Sequence, residues 1–412
     1  MKRRTFINCA GKTAFIAGLA AGCTTKTEKA GSAGPLVDTP EQRAEYLAGM
    51  LKELCTDIGP HPIGSPALET ACLIVKREME RSLPRVALDT FLYERWLLTG
   101  DPSFSIDSTP VETYLAHGTQ GTPPEGITGV LREIDGNDKL PYGVFDQTSG
   151  DLQAYVSVAS YKLAVPLPFY HFDKKVGSLP IFHIGTKDAG LLKDAVEKKS
   201  PIHLKANVEF IPDTPISNVV GTLPGRSDEE AVFLAHIDTV YNTVGANDNT
   251  ASLIMVLMLA HALSGTTPEK TLTFIATTAE EYDKLGAINY VEGRRKAGTL
   301  DKIRYVFNFD SITWGPNIKV FSKDTELRNL IGTIDEELGI DGTPELIDSD
   351  GFQLDARPFR ETGARAVYFN SGGYDNSIVW HRPDDIPENV PSDCVEISFL
   401  LCRELMRRIQ AE

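Results

Sequence analysis

The stretch from Ala231 to Leu263, AVFLAHIDTVYNTVGANDNTASLIMVLMLAHAL, constrains the fold more than any other part of the chain. Its opening, Ala231 to Ala235, reads as a buried strand and ends on His236, Ile237 and Asp238. A Gly/Asn/Asp loop follows, with Asp248 just ahead of an apolar helix from Thr250 to Leu263. Strand, polar loop and helix form a unit of an open α/β sheet, in which ligands collect at the carboxyl ends of strands. A histidine and two carboxylates fall on that edge. Taken alone, Asp248 has a plain explanation in helix capping and dipole compensation.

The downstream carboxylates change that reading. The strand Thr271 to Thr277 ends on Thr278, Ala279, Glu280 and Glu281. Paired glutamates are common on solvated faces, but these lie at the mouth of a hydrophobic strand. Neighbours in an extended segment point in opposite directions, so one can hold a metal while the other faces substrate. The next strand, Arg304 to Phe309, ends on Asp310. His381 lies in VWHRPDDIPENV, after the strand Arg365 to Asn370 and before a C-terminal helix that starts near Ser392. Three consecutive strands thus deliver metal-ligating groups to one edge, the pattern of a two-metal hydrolase site.

A chain of 412 residues exceeds one typical core, so two domains are expected. Before the first strand, Thr39, Pro40 and Gln42 form a capping box for a helix carrying Leu47, Met50, Leu51 and Leu54. Ser65 and Pro66 start a second helix, and Val86 to Leu92 alternate as a strand. The texture then changes. Short β-like runs separated by Gly/Pro-rich turns, with one helix from Ala189 to Lys198, occupy residues 97–213 and read as an inserted β-rich domain. The main α/β domain is expected over residues 39–96 and 214–412, as a mixed, mostly parallel sheet with helices on both faces. His117, His171, His183 and His203 of the insertion have no tight ligand spacing and read as structural or surface residues.

The N-terminus reads as targeting. Paired arginines in KRRTFIN precede a modestly apolar segment, and AAGC ends at Cys23. The pattern resembles a twin-arginine export signal (residues 1–22) joined to a lipoprotein site in which Cys23 becomes the acylated first residue. A plain cleaved signal is the alternative, since Leu19 lies four residues before the cysteine where three is usual. Residues 23–38 read as a flexible tether. No later run reaches the ~18 to 20 apolar residues of a spanning helix, so membrane contact is expected through a lipid on Cys23. The formal charge of −16 becomes −20 without the basic leader, which disfavours nucleic acid. Cys55, Cys72, Cys394 and Cys402 permit three full disulfide pairings, with Cys72 and Cys402 reading as buried free thiols on apolar helix faces.

HIDTV, GANDNTAS, TTAEE followed by LGA, NFDS, SDGF and WHRPDD occur in the order and approximate spacing of the di-zinc aminopeptidase family, related to glutamate carboxypeptidases and glutaminyl cyclases. The chain resembles this family over about 300 residues, and the insertion is similar to its protease-associated domain. The resemblance implies two Zn²⁺: His236 and Asp310 on one, Glu281 and His381 on the other, and Asp248 bridging both. It makes Asp238 the orienter of His236 and Glu280 the general base of peptide hydrolysis by a metal-bridged hydroxide. Three carboxylates and one hydroxide neutralise the four charges of two zincs, which permits burial.

Leu253, Asp283, Trp380 and Arg382 depart from residues common in the family. These changes leave the ligands intact but reshape the pocket, with Tyr374, Phe352 and Trp380 as candidate walls. An aminopeptidase acting on peptides is the leading expectation. Carboxypeptidase action, glutaminyl cyclisation and a non-catalytic binding lipoprotein are the alternatives.

Overall fold

The computed structural model describes residues 36–168, 178–315, 317–340, 344–349, 354–360, 362–371 and 379–411. The expected export signal, Cys23 and most of the tether lie outside the described residues, as do His171, Phe352 and Tyr374.

In chain order the elements are α1 (Pro40–Leu51), α2 (Pro66–Glu80), β1 (Arg85–Ile106), β2 (Thr109–Val111), β3 (Tyr114–Leu115), β4 (Ile127–Glu133), β5 (Tyr142–Phe145), β6 (Leu152–Val158), β7 (Ile181–Ile184), α3 (Ala189–Lys198), β8 (Pro201–Leu223) and β9 (Glu230–His236). They continue with α4 (Ala251–Ala262), β10 (Thr271–Thr277), α5 (Leu285–Lys296), β11 (Ile303–Phe309), β12 (Ile318–Ser322), α6 (Thr325–Leu338), β13 (Glu345–Asp348), α7 (Arg357–Arg360), β14 (Arg365–Ser371) and α8 (Ser392–Ile409). The capping box on α1 is formed: Gln42 N donates to Thr39 Oγ1, and Thr39 N donates to Gln42 Oε1. On α2, Ser65 Oγ accepts from Leu68 N at 3.1 Å.

The main sheet runs β13-β12-β14-β11-β9-β10-β8. Its four central strands, β14, β11, β9 and β10, are mutually parallel, and antiparallel pairings flank them at β12 and β8. This is the mixed α/β sheet with helices on both faces that the strand-helix alternation predicts. Strand β9 shows why both faces must be covered. Ala231, Phe233 and Ala235 point into the core formed with α1, α2, α4, α6 and α8, while Val232 and Leu234 pack on the opposite side with residues of α5 and α7. Helix α4 is buried all round, from Ala251 to His261, so its apolar run has no solvent face to encode.

Residues 96–206 build a second apolar core from Trp96, Phe104, Leu131, Val144, Val156 and Phe182, among others. The connection to the main core differs from a simple linker. β1 and β8 pair antiparallel from Arg85↔Thr222 to Ile106↔Ile202, with register irregularities at Tyr93/Arg95 and Thr99/Ser103. The expected boundary at residue 97 falls inside one of these strands and that at 213 inside the other. β8 pairs with β10 near its end and with β4 near its start, so hydrogen bonding runs unbroken from one core to the other. Alternation in Val86–Leu92 predicts only the first part of β1, because the rest is mostly half-exposed ribbon interrupted by register irregularities.

Among the described residues no helix is long and apolar enough to cross a membrane. Cys55, Cys72, Cys394 and Cys402 are buried free thiols, and burial pushes those of Cys55 and Cys72 up to about 12. Neither is a nucleophile at neutral pH.

Candidate metal centre

His236 ends β9, level with Thr277 of β10 in the sheet register, and Asp310 directly follows β11. Asp248 precedes α4, Glu280 and Glu281 follow β10, and His381 follows β14 by ten residues. All six side chains are buried and converge at the carboxyl edge of the parallel strands. Ligating atoms of His236, Glu280 and Asp310 lie within 4.8 Å of one another, and so do those of His236, Asp248 and Glu281.

Asp248 sits between the two histidines. Its Oδ1 is 3.2 Å from His236 Nε2 and its Oδ2 is 3.6 Å from His381 Nε2. His381 Nε2 is also 3.2 Å from Glu281 Oε2. The far side of each ring fixes its tautomer. His236 Nδ1 donates to the Asp238 carbonyl at 3.0 Å, and His381 Nδ1 donates to the Pro166 carbonyl at 2.9 Å. A carbonyl only accepts, so each Nδ1 carries a proton and Nε2 is the ring atom left to face the carboxylates. Either a proton or a metal ion between Nε2 and those oxygens satisfies both sides. Glu281 Oε1 is buried with no hydrogen-bond partner, an open ligand atom in the same place. A donor set of imidazole nitrogens and carboxylate oxygens fits zinc.

The proton affinities record the same demand. Burial alone lowers that of His236, yet Asp248, Asp310 and Glu280 draw it well above the ordinary imidazole range. His381 is likewise raised to about 9, against burial, by Glu281 and Asp248. Burial, with the Asp248 charge added, pushes Asp310 up to about 7. Burial also holds Glu280 well above an ordinary glutamate, with Asp310 adding to the effect. Carboxylates crowded in this way stay ionised only beside positive charge.

Asp238 acts differently from the expectation that its side chain holds the His236 ring. Its backbone carbonyl takes the ring proton, and Oδ1 is 3.8 Å from Nδ1. The carboxylate instead accepts from Glu280 N at 3.2 Å and Glu281 N at 3.3 Å, so one buried acid aligns both glutamates. Glu280 and Glu281 lie in a turn after Ala279, which is left-handed at φ 61, and not in an extended segment, and both carboxylates come within 4.8 Å of His236. Ser311 (φ 50) and His381 (φ 54) are also left-handed. That conformation costs an L-residue about 1–2 kcal/mol and concentrates at functional sites.

Several residues of the centre are not evident in the sequence. Asp385 is fully buried and accepts from Asn247 N and Nδ2, both at 2.8 Å, and from Asp248 N at 3.0 Å, holding the loop that carries Asp248. Asn249 Nδ2 donates to Phe309 O, and Asn249 Oδ1 accepts from Ser311 N, bracing Asp310. Gly245 (φ 61) is needed in the same loop, because a Cβ there would strike the Asp248 carbonyl. Trp380 stacks on the His381 ring at 3.9 Å and meets Tyr161 at 4.7 Å. It is therefore a wall of the metal centre.

A cleft of about 660 Å³ opens from Glu281 and is lined by Trp96, Tyr114, His117, Leu167 and Tyr241, among others. Both cores contribute to it. Tyr241 Oη donates to the Leu115 carbonyl and accepts from Leu115 N, each at 3.0 Å, which fixes one wall to the other. The volume exceeds that of a single side chain.

Residues 218–406 match Peptidase family M28. Aminopeptidase YwaD of Bacillus subtilis is 23% identical over 386 residues, covering 85% of this chain and 81% of its own. Carboxypeptidase Q of Mus musculus is 25% identical over 319 residues, covering 68% and 67%. The structure of BSAP, a zinc aminopeptidase from Bacillus subtilis, aligns over 89% of this chain and 95% of its own with a TM-score of 0.69 at 21% identity, a likeness of fold.

Proposed function

We propose that this chain, whose residues 218–406 match Peptidase family M28, is a zinc-dependent exopeptidase that removes N-terminal residues from peptides. The observation that carries the reading is Asp248 lying between His236 and His381 with one oxygen toward each. His236 and Asp310 would hold one zinc and Glu281 and His381 a second, with Asp248, which faces both histidines, available to each. When bound, zinc polarises the scissile carbonyl and makes water acidic enough to lose a proton near neutral pH.

Glu280 does the proton work. Its carboxylate lies in one cluster with His236 and Asp310, where it takes a proton from water as the water oxygen adds to the carbonyl carbon and then gives that proton to the amine nitrogen as the peptide C–N bond breaks. Asp238 keeps Glu280 in place through its backbone N–H. The cleft beside Glu281 admits the substrate. Similarity to Aminopeptidase YwaD and to the zinc aminopeptidase BSAP favours the amino end, and similarity to Carboxypeptidase Q marks the competing choice.

Metal analysis combined with paired peptides tests this reading. Purified protein is expected to hold two zinc ions and to cleave free-amine peptides but not their N-acetylated forms, with activity lost to a chelator and restored by zinc. Release of C-terminal residues from the N-acetylated peptides would overturn the aminopeptidase assignment. A single tightly bound zinc with cyclisation of N-terminal glutamine would overturn hydrolysis.

The N-terminal residues support a further part of the proposal, an exported lipoprotein held to a membrane through Cys23. Fatty-acid labelling that disappears in Cys23→Ser is expected. Equal labelling of both proteins would overturn it.

A further inference from the structure

The two histidines of the centre are held in unlike ways, and the difference assigns a role to residues of the inserted region. His381 lies on a loop in left-handed conformation. Its carbonyl accepts from Asn242 Nδ2 at 3.0 Å, and its ring Nδ1 donates to the Pro166 carbonyl at 2.9 Å, contributed by a segment 215 residues away. The orientation of Nε2 is therefore no better defined than the position of that segment.

Arg382, the next residue, makes the missing connection. Its Nη1 donates to the Ala164 carbonyl at 2.7 Å, two residues before Pro166, and its Nη2 lies 2.9 Å from Glu112 Oε1. Lys187 Nζ lies 2.6 Å from Glu112 Oε2. The Arg382 side chain is 12% exposed and that of Glu112 27%, so their contact is partly shielded from solvent screening, while Lys187 is more open at 38%. A planar guanidinium donates in two fixed directions at once, which a lysine ammonium on a flexible stem does not reproduce.

We propose that Arg382 and Glu112 are positioning residues for His381: together they clamp the 164–166 segment to the turn that carries the ligand, so that the Pro166 carbonyl aims the ring at its metal. The inference rests on the zinc reading above. It predicts a one-sided effect, because His236 takes its orientation from Asp238 in its own segment and has no contact with the clamp. Loss of a partner behind a metal-bound histidine typically costs about 10–100-fold in metal affinity.

The test is zinc titration of metal-free protein against a chromophoric chelator, for wild type, Arg382→Ala and Glu112→Gln, with thermal melting of each metal-free protein as a second readout. Glu112→Gln keeps the shape of the side chain and serves if Arg382→Ala does not fold. The expected result is one binding step weakened about 10–100-fold while the other moves less than about threefold. Cobalt-loaded protein should show an altered visible spectrum for that step alone. Unchanged binding in both variants would overturn the clamp, and so would equal weakening of both steps with a lowered melting temperature, which is the mark of a purely structural role. If wild type binds no zinc, or if His381→Ala leaves both steps intact, the metal assignment itself fails and the clamp with it.

Discussion

The two halves of the metal centre are built by different means. The His236 half is local: the ligand ends a parallel strand, and its ring is held by the carbonyl two residues on. The His381 half is assembled from distant pieces, with Pro166 behind the ring, Asn242 on the carbonyl and Trp380 on the ring face. A strand end inherits its position from the sheet, whereas a loop ligand must be fixed by separate contacts. The local half therefore tolerates change around it, and the distant half transmits change to the metal.

The largest expected effect lies in the local half, where Glu280 shares a cluster with His236 and Asp310. Glu280→Gln should lower kcat by about 10²–10⁴-fold while zinc content stays at the wild-type value. A rate near wild type, measured with a sensitive peptide substrate, would remove Glu280 from the base role.

Asp238→Ala and Asp385→Ala compare the two halves directly. The first leaves the buried N–H groups of Glu280 and Glu281 without acceptors, and the second does the same to Asn247 and Asp248. Each should cost roughly 2–5 kcal/mol of stability, since an orphaned buried donor costs about 1–3 kcal/mol. Urea denaturation measures both. If Asp385→Ala proved neutral, the view that distant contacts hold the Asp248 loop would be wrong.

A smaller effect concerns acid. His261 is buried against Tyr46 and Glu78, away from the centre, and burial lowers its pKa from 6.5 to about 4. Because the folded value is depressed, the unfolded chain binds the proton first as pH falls. The stability that neutral His261 contributes is present above pH 6.5 and is lost between 6.5 and about 4, at up to ~1.4 kcal/mol per pH unit. His261→Gln should flatten that slope in denaturation curves, and an unchanged slope would contradict the assignment. The smallest effect belongs to a contact remote from both halves. Ser65→Ala removes the cap on α2 and should cost about 1 kcal/mol with no change in kcat.

The parts of this protein legible in its sequence are those whose signal lies within one segment. The central strands at 231–235, 271–277, 304–309 and 365–370 are visible as apolar runs, because a parallel strand buried on both faces has no polar alternation to dilute it. His236, Glu280, Glu281 and Asp310 follow as polar residues at or just past the ends of those runs, whereas Asp248 and His381 lie ten or more residues beyond a strand and are assigned by the resemblance to the di-zinc aminopeptidase family. The capping box at Thr39 and the helix 189–198 are visible for the same local reason. The outer strands β12 and β13 and the far part of β1 carry short or half-exposed patterns that only a partner strand completes.

What the sequence determined by itself is the sheet edge and the set of groups placed on it: His236, Asp248, Glu280, Glu281, Asp310 and His381. Periodicity and chemical type are properties of neighbouring residues, so they can be read along the chain. What only the tertiary structure decided is how those groups are aimed. The Asp238 carboxylate holds the glutamate backbone while its carbonyl holds the imidazole, Asp385 holds the Asp248 loop, and the inserted region reaches His381 through Pro166 and Arg382 through Ala164 and Glu112. Hydrogen bonds act over about 3 Å of space whatever the separation in sequence, and a contact between residues 166 and 381 exists only once the chain has folded.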